Sequence, residues 1–112
     1  MQHALASTAL LAAVLMPAHA NEISRFYGYA YDLETGRYLY TEVHRVKLEN
    51  GRWRSGTTGY FAPDGKVIAT RSFDFADNPF VPVYTFAIPE QGYLEGISNV
   101  SSAGIAMFNQ SR

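Results

Sequence analysis

The chain has 112 residues, 47% of them hydrophobic and 17% charged, with a formal net charge of −1 and no cysteine. That length allows one domain, and the composition excludes a transmembrane bundle, a collagen-like or linker chain and a basic nucleic-acid arm. The missing cysteines exclude a disulfide framework, a thiolate metal site and a cysteine nucleophile.

Residues 1–20 read MQHALASTALLAAVLMPAHA: a short polar start without Lys or Arg, an apolar run from Ala4 to Met16, a breaker at Pro17 and the small-x-small triplet Ala18-His19-Ala20. This is the layout of a secretory signal peptide cleaved after Ala20. The 13 residues of the run are too few to cross a bilayer, which takes about 20. Residues 21–112 then form the mature domain, exported to the periplasm or secreted, and they hold every Tyr, Phe and Trp of the chain.

Three glycine turns punctuate the first part of this domain: Glu34-Thr35-Gly36, Glu49-Asn50-Gly51 and Pro63-Asp64-Gly65. Their spacings of 15 and 14 residues suit consecutive strands of about ten residues joined by tight turns. A two-residue Asn50-Gly51 loop sets Leu48 opposite Trp53 and Lys47 opposite Arg54. A three-residue Pro63-Asp64-Gly65 loop sets Phe61 opposite Val67, Arg54 opposite Asp74 and Trp53 opposite Phe75. Both registers predict Val46, Leu48, Trp53, Phe61, Val67, Phe73 and Phe75 on one face, with Arg45, Lys47, Arg52, Arg54 and Asp74 on the other. A four-residue first loop, Leu33 to Gly36, pairs Asp32 with Arg37 and stacks Tyr31 on Tyr38 and Tyr29 on Tyr40, extending the aromatic face. Leu39, Val43, Tyr60 and Ile68 fall on the cationic side.

After Phe75, Pro79 and Pro82 predict an irregular connection. Val83 to Ile88 reads as a fifth strand and Tyr93 to Ile97 as a sixth, while Ser102 to Phe108 reads as a last strand or a short helix. The expected fold is mostly β: an antiparallel meander of five to six strands forming a curved open sheet or half-barrel. Such a sheet is too short to close a barrel with a filled interior, which takes about eight strands. With an apolar-leaning end at Ala103–Phe108, residues 21–112 are expected to be one β domain that is incomplete at its C-terminus.

The segments Tyr27-Gly28-Tyr29-Ala30-Tyr31-Asp32, Leu39–His44, Pro63-Asp64-Gly65, Asp74-Phe75 and Gly92-Tyr93-Leu94-Glu95-Gly96 together resemble a family of uncharacterised exported proteins of gammaproteobacteria. The resemblance covers residues 26–97 and implies a periplasmic β-sheet protein whose N-terminal half is the present chain. It implies no catalytic motif.

Chemistry-bearing residues are few. His44 is the one histidine after residue 20, so a histidine-rich metal site is excluded; it is expected on the aromatic face, opposite Thr57, as a packed sheet residue. Ser72 and Asp74 project away from it, and no G-x-S-x-G elbow exists for Ser55 or any other serine. Asp74, Asp77 and Asn78 lack a calcium-loop spacing. Arg45, Lys47, Arg52 and Arg54 form the strongest charge cluster and an anion-binding candidate. The aromatic set Tyr29, Tyr31, Tyr38, Tyr40, Trp53, Phe61, Phe73 and Phe75 predicts a non-catalytic binding module without cofactor or metal, taking a lipid or small apolar ligand. The second reading is an assembly module whose aromatic face packs on a protein partner, a second copy or a missing C-terminal half. Neither involves nucleic acid or a transmembrane span.

Overall fold

The computed structural model describes residues 21–111; the signal-peptide reading of residues 1–20 lies outside them. Seven strands follow one another: β1 (Glu22–Tyr31), β2 (Tyr38–Glu49), β3 (Arg52–Phe61), β4 (Val67–Asp74), β5 (Val83–Ile88), β6 (Tyr93–Ser101) and β7 (Gly104–Gln110). They form one sheet in chain order, each antiparallel to its neighbours and not closed into a barrel. A single 3₁₀ turn at Pro89–Gln91 precedes β6.

The turn chemistry explains the meander. Asn50 and Gly51 both take positive φ, 52° and 75°, as a two-residue hairpin matched to strand twist requires. The Pro63-Asp64-Gly65 loop closes with Ala62 N–H donating to the Lys66 carbonyl and Gly65 N–H to the Ala62 carbonyl. In the first hairpin the four-residue loop is present, with Asp32 N–H on the Arg37 carbonyl. The Asp32 carboxylate does not reach Arg37 as an ion pair. It accepts from the backbone N–H groups of Glu34 (2.8 Å) and Thr35 (2.9 Å), an Asx turn.

Seven strands stand where five or six are expected, because the segment read as a last strand or a short helix forms a strand, at Gly104–Gln110. Its hairpin turns through Ser102-Ala103, held by Ala103 N–H on Ser101 Oγ, which is chemistry less distinctive than Asn-Gly.

Four registers carry one extra residue each: Leu39 in β2, Arg54 in β3, Ile68 in β4 and Ser98 in β6. Such a bulge reverses the in-out alternation beyond it. Arg54 therefore does not oppose Asp74; Ser55 does, and Gly56 opposes Phe73. Likewise Tyr29 opposes Thr41 rather than Tyr40, and His44 opposes Thr58 rather than Thr57, which sits beside Arg45. The expected single aromatic face splits in two. Tyr40, Trp53, Phe73 and Phe75 lie on one side, here the ring face; Tyr29, Tyr31, Tyr38, Phe61 and Val67 lie with the cations on the other. Tyr60 moves the opposite way and joins the ring face.

The sheet is one layer thick. Among the described residues, those less than a tenth exposed are Val46, Ala69, Val100, the polar Thr58 and Gly96. Ring-face positions of β2, such as Tyr40, Glu42 and His44, are half-buried by one another, while Arg45 and Lys47 on the cationic face are exposed.

Candidate functional site

Strand alternation gathers aromatic rings and a histidine onto the ring face. Phe26, Trp53, Phe73 and Phe75 form one chain of contacts, with centroids 6.2, 5.9 and 5.6 Å apart. Tyr40, Tyr60, Phe86 and Tyr93 form a second, with centroids 6.0, 6.0 and 6.3 Å apart. Such separations are those of favourable aromatic pairs. Of these, Phe26, Tyr60, Phe86 and Tyr93 are absent from the site expected on sequence grounds. Tyr60 escapes it because the Arg54 bulge between it and Trp53 is invisible to pairing arithmetic. Phe26 escapes it through the Leu39 bulge, and Phe86 and Tyr93 because no tight turn fixes the register of their strands.

Between the two ring chains runs a polar row set by register: His44 opposite Thr58, Thr58 opposite Arg71, Arg71 opposite Phe86, Phe86 opposite Glu95. His44 stacks on Phe26 at 4.5 Å with the rings 8° apart. Its Nε2 lies 3.0 Å from Glu42 Oε2 and its Nδ1 2.9 Å from Thr58 Oγ1. A carboxylate only accepts, so Nε2 carries a proton; in the neutral ring the Thr58 hydroxyl then donates to Nδ1. Thr58 is 5% exposed and spends its hydroxyl on the imidazole. The trio is thus a hydrogen-bonded support for Phe26, with no accessible nucleophile.

At the far end of the row the Tyr93 hydroxyl donates to Glu95 Oε2 at 2.9 Å. This bond to the carboxylate holds the Tyr93 phenol above its ordinary pKa, while burial raises that of Tyr60.

Where the first ring chain meets this row, Trp53, Arg71, Phe73, Phe75, Pro82, Tyr84 and Glu95 line a depression of about 330 Å³, at the lower end of ligand-sized sites. Its lining is apolar apart from Arg71 and Glu95. Trp53, at its rim, is 55% exposed. Of the eight aromatic residues expected to form one site, it gathers Trp53, Phe73 and Phe75. Tyr40 lies elsewhere on the same face, against Tyr60. Tyr31 and Tyr38 pair on the opposite face, 5.7 Å apart, where Tyr38 also hydrogen-bonds Thr41.

The cationic candidates do share the face opposite Trp53, and two of the four, Lys47 and Arg54, pair with the same carboxylate, Glu49. The Glu49 carboxylate lies 3.3 Å from Arg54 Nε and 3.7 Å from Lys47 Nζ, as ion pairs. Arg52 sits at the hairpin tip opposite Glu49, and Arg45 faces Arg25 directly across β1–β2, a like-charge neighbour outside the expected cluster. Asp74 and Asn78 hold turns: Asp74 Oδ1 accepts Ala76 N–H, and Asn78 Oδ1 accepts the N–H groups of Phe80 and Val81. No trio of His, Asp or Glu among the described residues is placed to hold a metal ion. No helix among them is long and apolar enough to cross a membrane.

No protein-family model, curated protein or solved structure matches the chain.

Proposed function

We propose that the chain is a non-catalytic binding module that takes an apolar chain or lipid on its ring face. The observation that carries this is the depression walled by Trp53, Phe73, Phe75, Pro82 and Tyr84, with Trp53 more than half exposed at its edge. A single-layer sheet gains most of its missing burial where apolar side chains already converge, at roughly 25 cal/mol for each Å² removed from water. Trp53 is the one tryptophan of the chain, so its emission reports on this place alone. Titration with a single-chain lipid is expected to shift that emission to the blue, and native mass spectrometry to show the adduct; unchanged emission and a bare mass overturn the proposal.

A second reading, an assembly module, is favoured by the outer strands. Ile23 on β1 is 67% exposed and Met107 on β7 is 74% exposed, and both strands have an unpaired edge among the described residues. Light scattering across a dilution series discriminates: a dimer that persists on dilution supports assembly, a monomer opposes it. For either reading we place the protein in the periplasm or outside the cell, on the signal-like residues 1–20 and the resemblance to exported proteins. Cell fractionation with detection of a new N-terminus at Asn21 tests this.

A further inference from the structure

Arg71 stands out on the ring face because it is a cation among rings. It projects from β4 with its guanidinium carbon 5.1 Å from the centroid of Phe86, a contact that holds the guanidinium over the ring. The carboxylates near it are otherwise engaged. Glu42 accepts from His44, and Glu95, across Phe86, accepts from Tyr93. Among the described residues Arg71 forms no ion pair. It borders the depression of Trp53 and Phe73 and also the neighbouring one lined by Tyr40 and Tyr60, so any chain lying on the rings passes its guanidinium.

We infer that the ligand is an anionic single-chain amphiphile, its hydrocarbon tail on Trp53, Phe73 and Phe75 and its carboxylate on Arg71. This rests on the binding reading above and names the chemistry of the ligand. Covering Arg71 with a neutral tail strips water from a charge without replacing it, which is costly. A carboxylate replaces that water with two parallel N–H···O bonds in the geometry a guanidinium presents. Glu95, which lines the same depression beyond Phe86, repels an anion, so the head seats on Arg71 rather than beside it.

The test compares dodecanoate, dodecanol and dodecylammonium on the purified chain, read by Trp53 emission. Dodecanoate is expected to bind about tenfold more tightly than dodecanol, the scale of one charge-assisted pair. Arg71→Gln is expected to weaken dodecanoate about tenfold and leave dodecanol within about twofold, while Arg71→Lys keeps the preference for the anion. Equal affinity of the wild type for dodecanoate and dodecanol, equal loss of both in Arg71→Gln, or a preference for dodecylammonium overturns this inference and leaves the ring-face reading standing. If none of the three moves the emission, both fall. Should Arg71→Gln lose its far-ultraviolet β signature, the wild-type comparison of dodecanoate with dodecanol decides alone.

Discussion

Gly96 and Gly56 are held by space rather than by backbone angle. A Cβ on Gly96 would lie 2.0 Å from the Tyr84 carbonyl oxygen, and one on Gly56 would lie 2.6 Å from Phe73 Cζ and 2.8 Å from the Arg45 carbonyl oxygen. Gly36 is the reverse case, with φ of 70° and nothing near the added carbon. Urea denaturation should rank Gly96→Ala as most damaging, because a ladder carbonyl must move. Gly56→Ala should cost about 1–3 kcal/mol for the displaced Phe73 ring, and Gly36→Ala about 1–2 kcal/mol of left-handed strain. Thr58→Val removes the hydroxyl bonded to His44 Nδ1 and should cost about 1–3 kcal/mol. Asp32 supplies a pH dependence. The N–H groups of Thr35 and Glu34 hold its carboxyl below the usual range, so the folded chain binds that proton less readily than the unfolded one. The stabilisation is present above the ordinary carboxylate range and is lost as pH falls through the lower folded value. The Thr35 and Glu34 amide resonances should therefore titrate below that range, and in Asp32→Asn the titration should vanish.

At the scale of the strand, the Arg54 bulge makes a sharp forecast. Trp53 lies on the ring face, Arg54 and Ser55 on the other, and Gly56 on the ring face again. Deleting Arg54 restores simple alternation and keeps Trp53 against Phe73, at the loss of the ion pair to Glu49 and of the Phe75 N–H bond to its carbonyl, about 1 kcal/mol. Inserting an alanine after Trp53 turns the indole away from Phe73. Near-ultraviolet dichroism should keep its tryptophan signal in the deletion and lose it in the insertion. The same bulge shows what could be read from sequence. The hairpins at Asn50-Gly51 and Pro63-Asp64-Gly65 were legible because turn residues with positive φ have few alternatives. Leu48 opposite Trp53 and Phe61 opposite Val67 followed from the loops and hold. Pairings farther from each turn failed because Leu39, Arg54 and Ile68 are ordinary strand residues, and nothing in their chemistry marks them as extra. Of the site, Trp53, Phe73 and Phe75 were legible as a group, while Phe61 and Tyr60 exchange faces. Phe86 and Tyr93 were not, since they join only through the pairings of β5 and β6, across the proline-rich connection.

For the molecule as a whole, thin burial sets the distribution of stability. With Val46 1% exposed and Thr58 and Ala69 also buried, β2, β3 and β4 each hold a buried side chain on a strand paired on both sides. Hydrogen exchange should be slowest at Val46, Thr58 and Ala69 and fastest along β7, where most side chains are exposed; uniform protection across the seven strands would contradict this. The odd number of strands among the described residues has a final consequence. In an all-antiparallel meander of seven, the first and last strands point the same way. Bending the sheet until its own borders touch would align two strands in parallel, whereas joining it to another copy through matching borders continues the alternation and generates a two-fold axis.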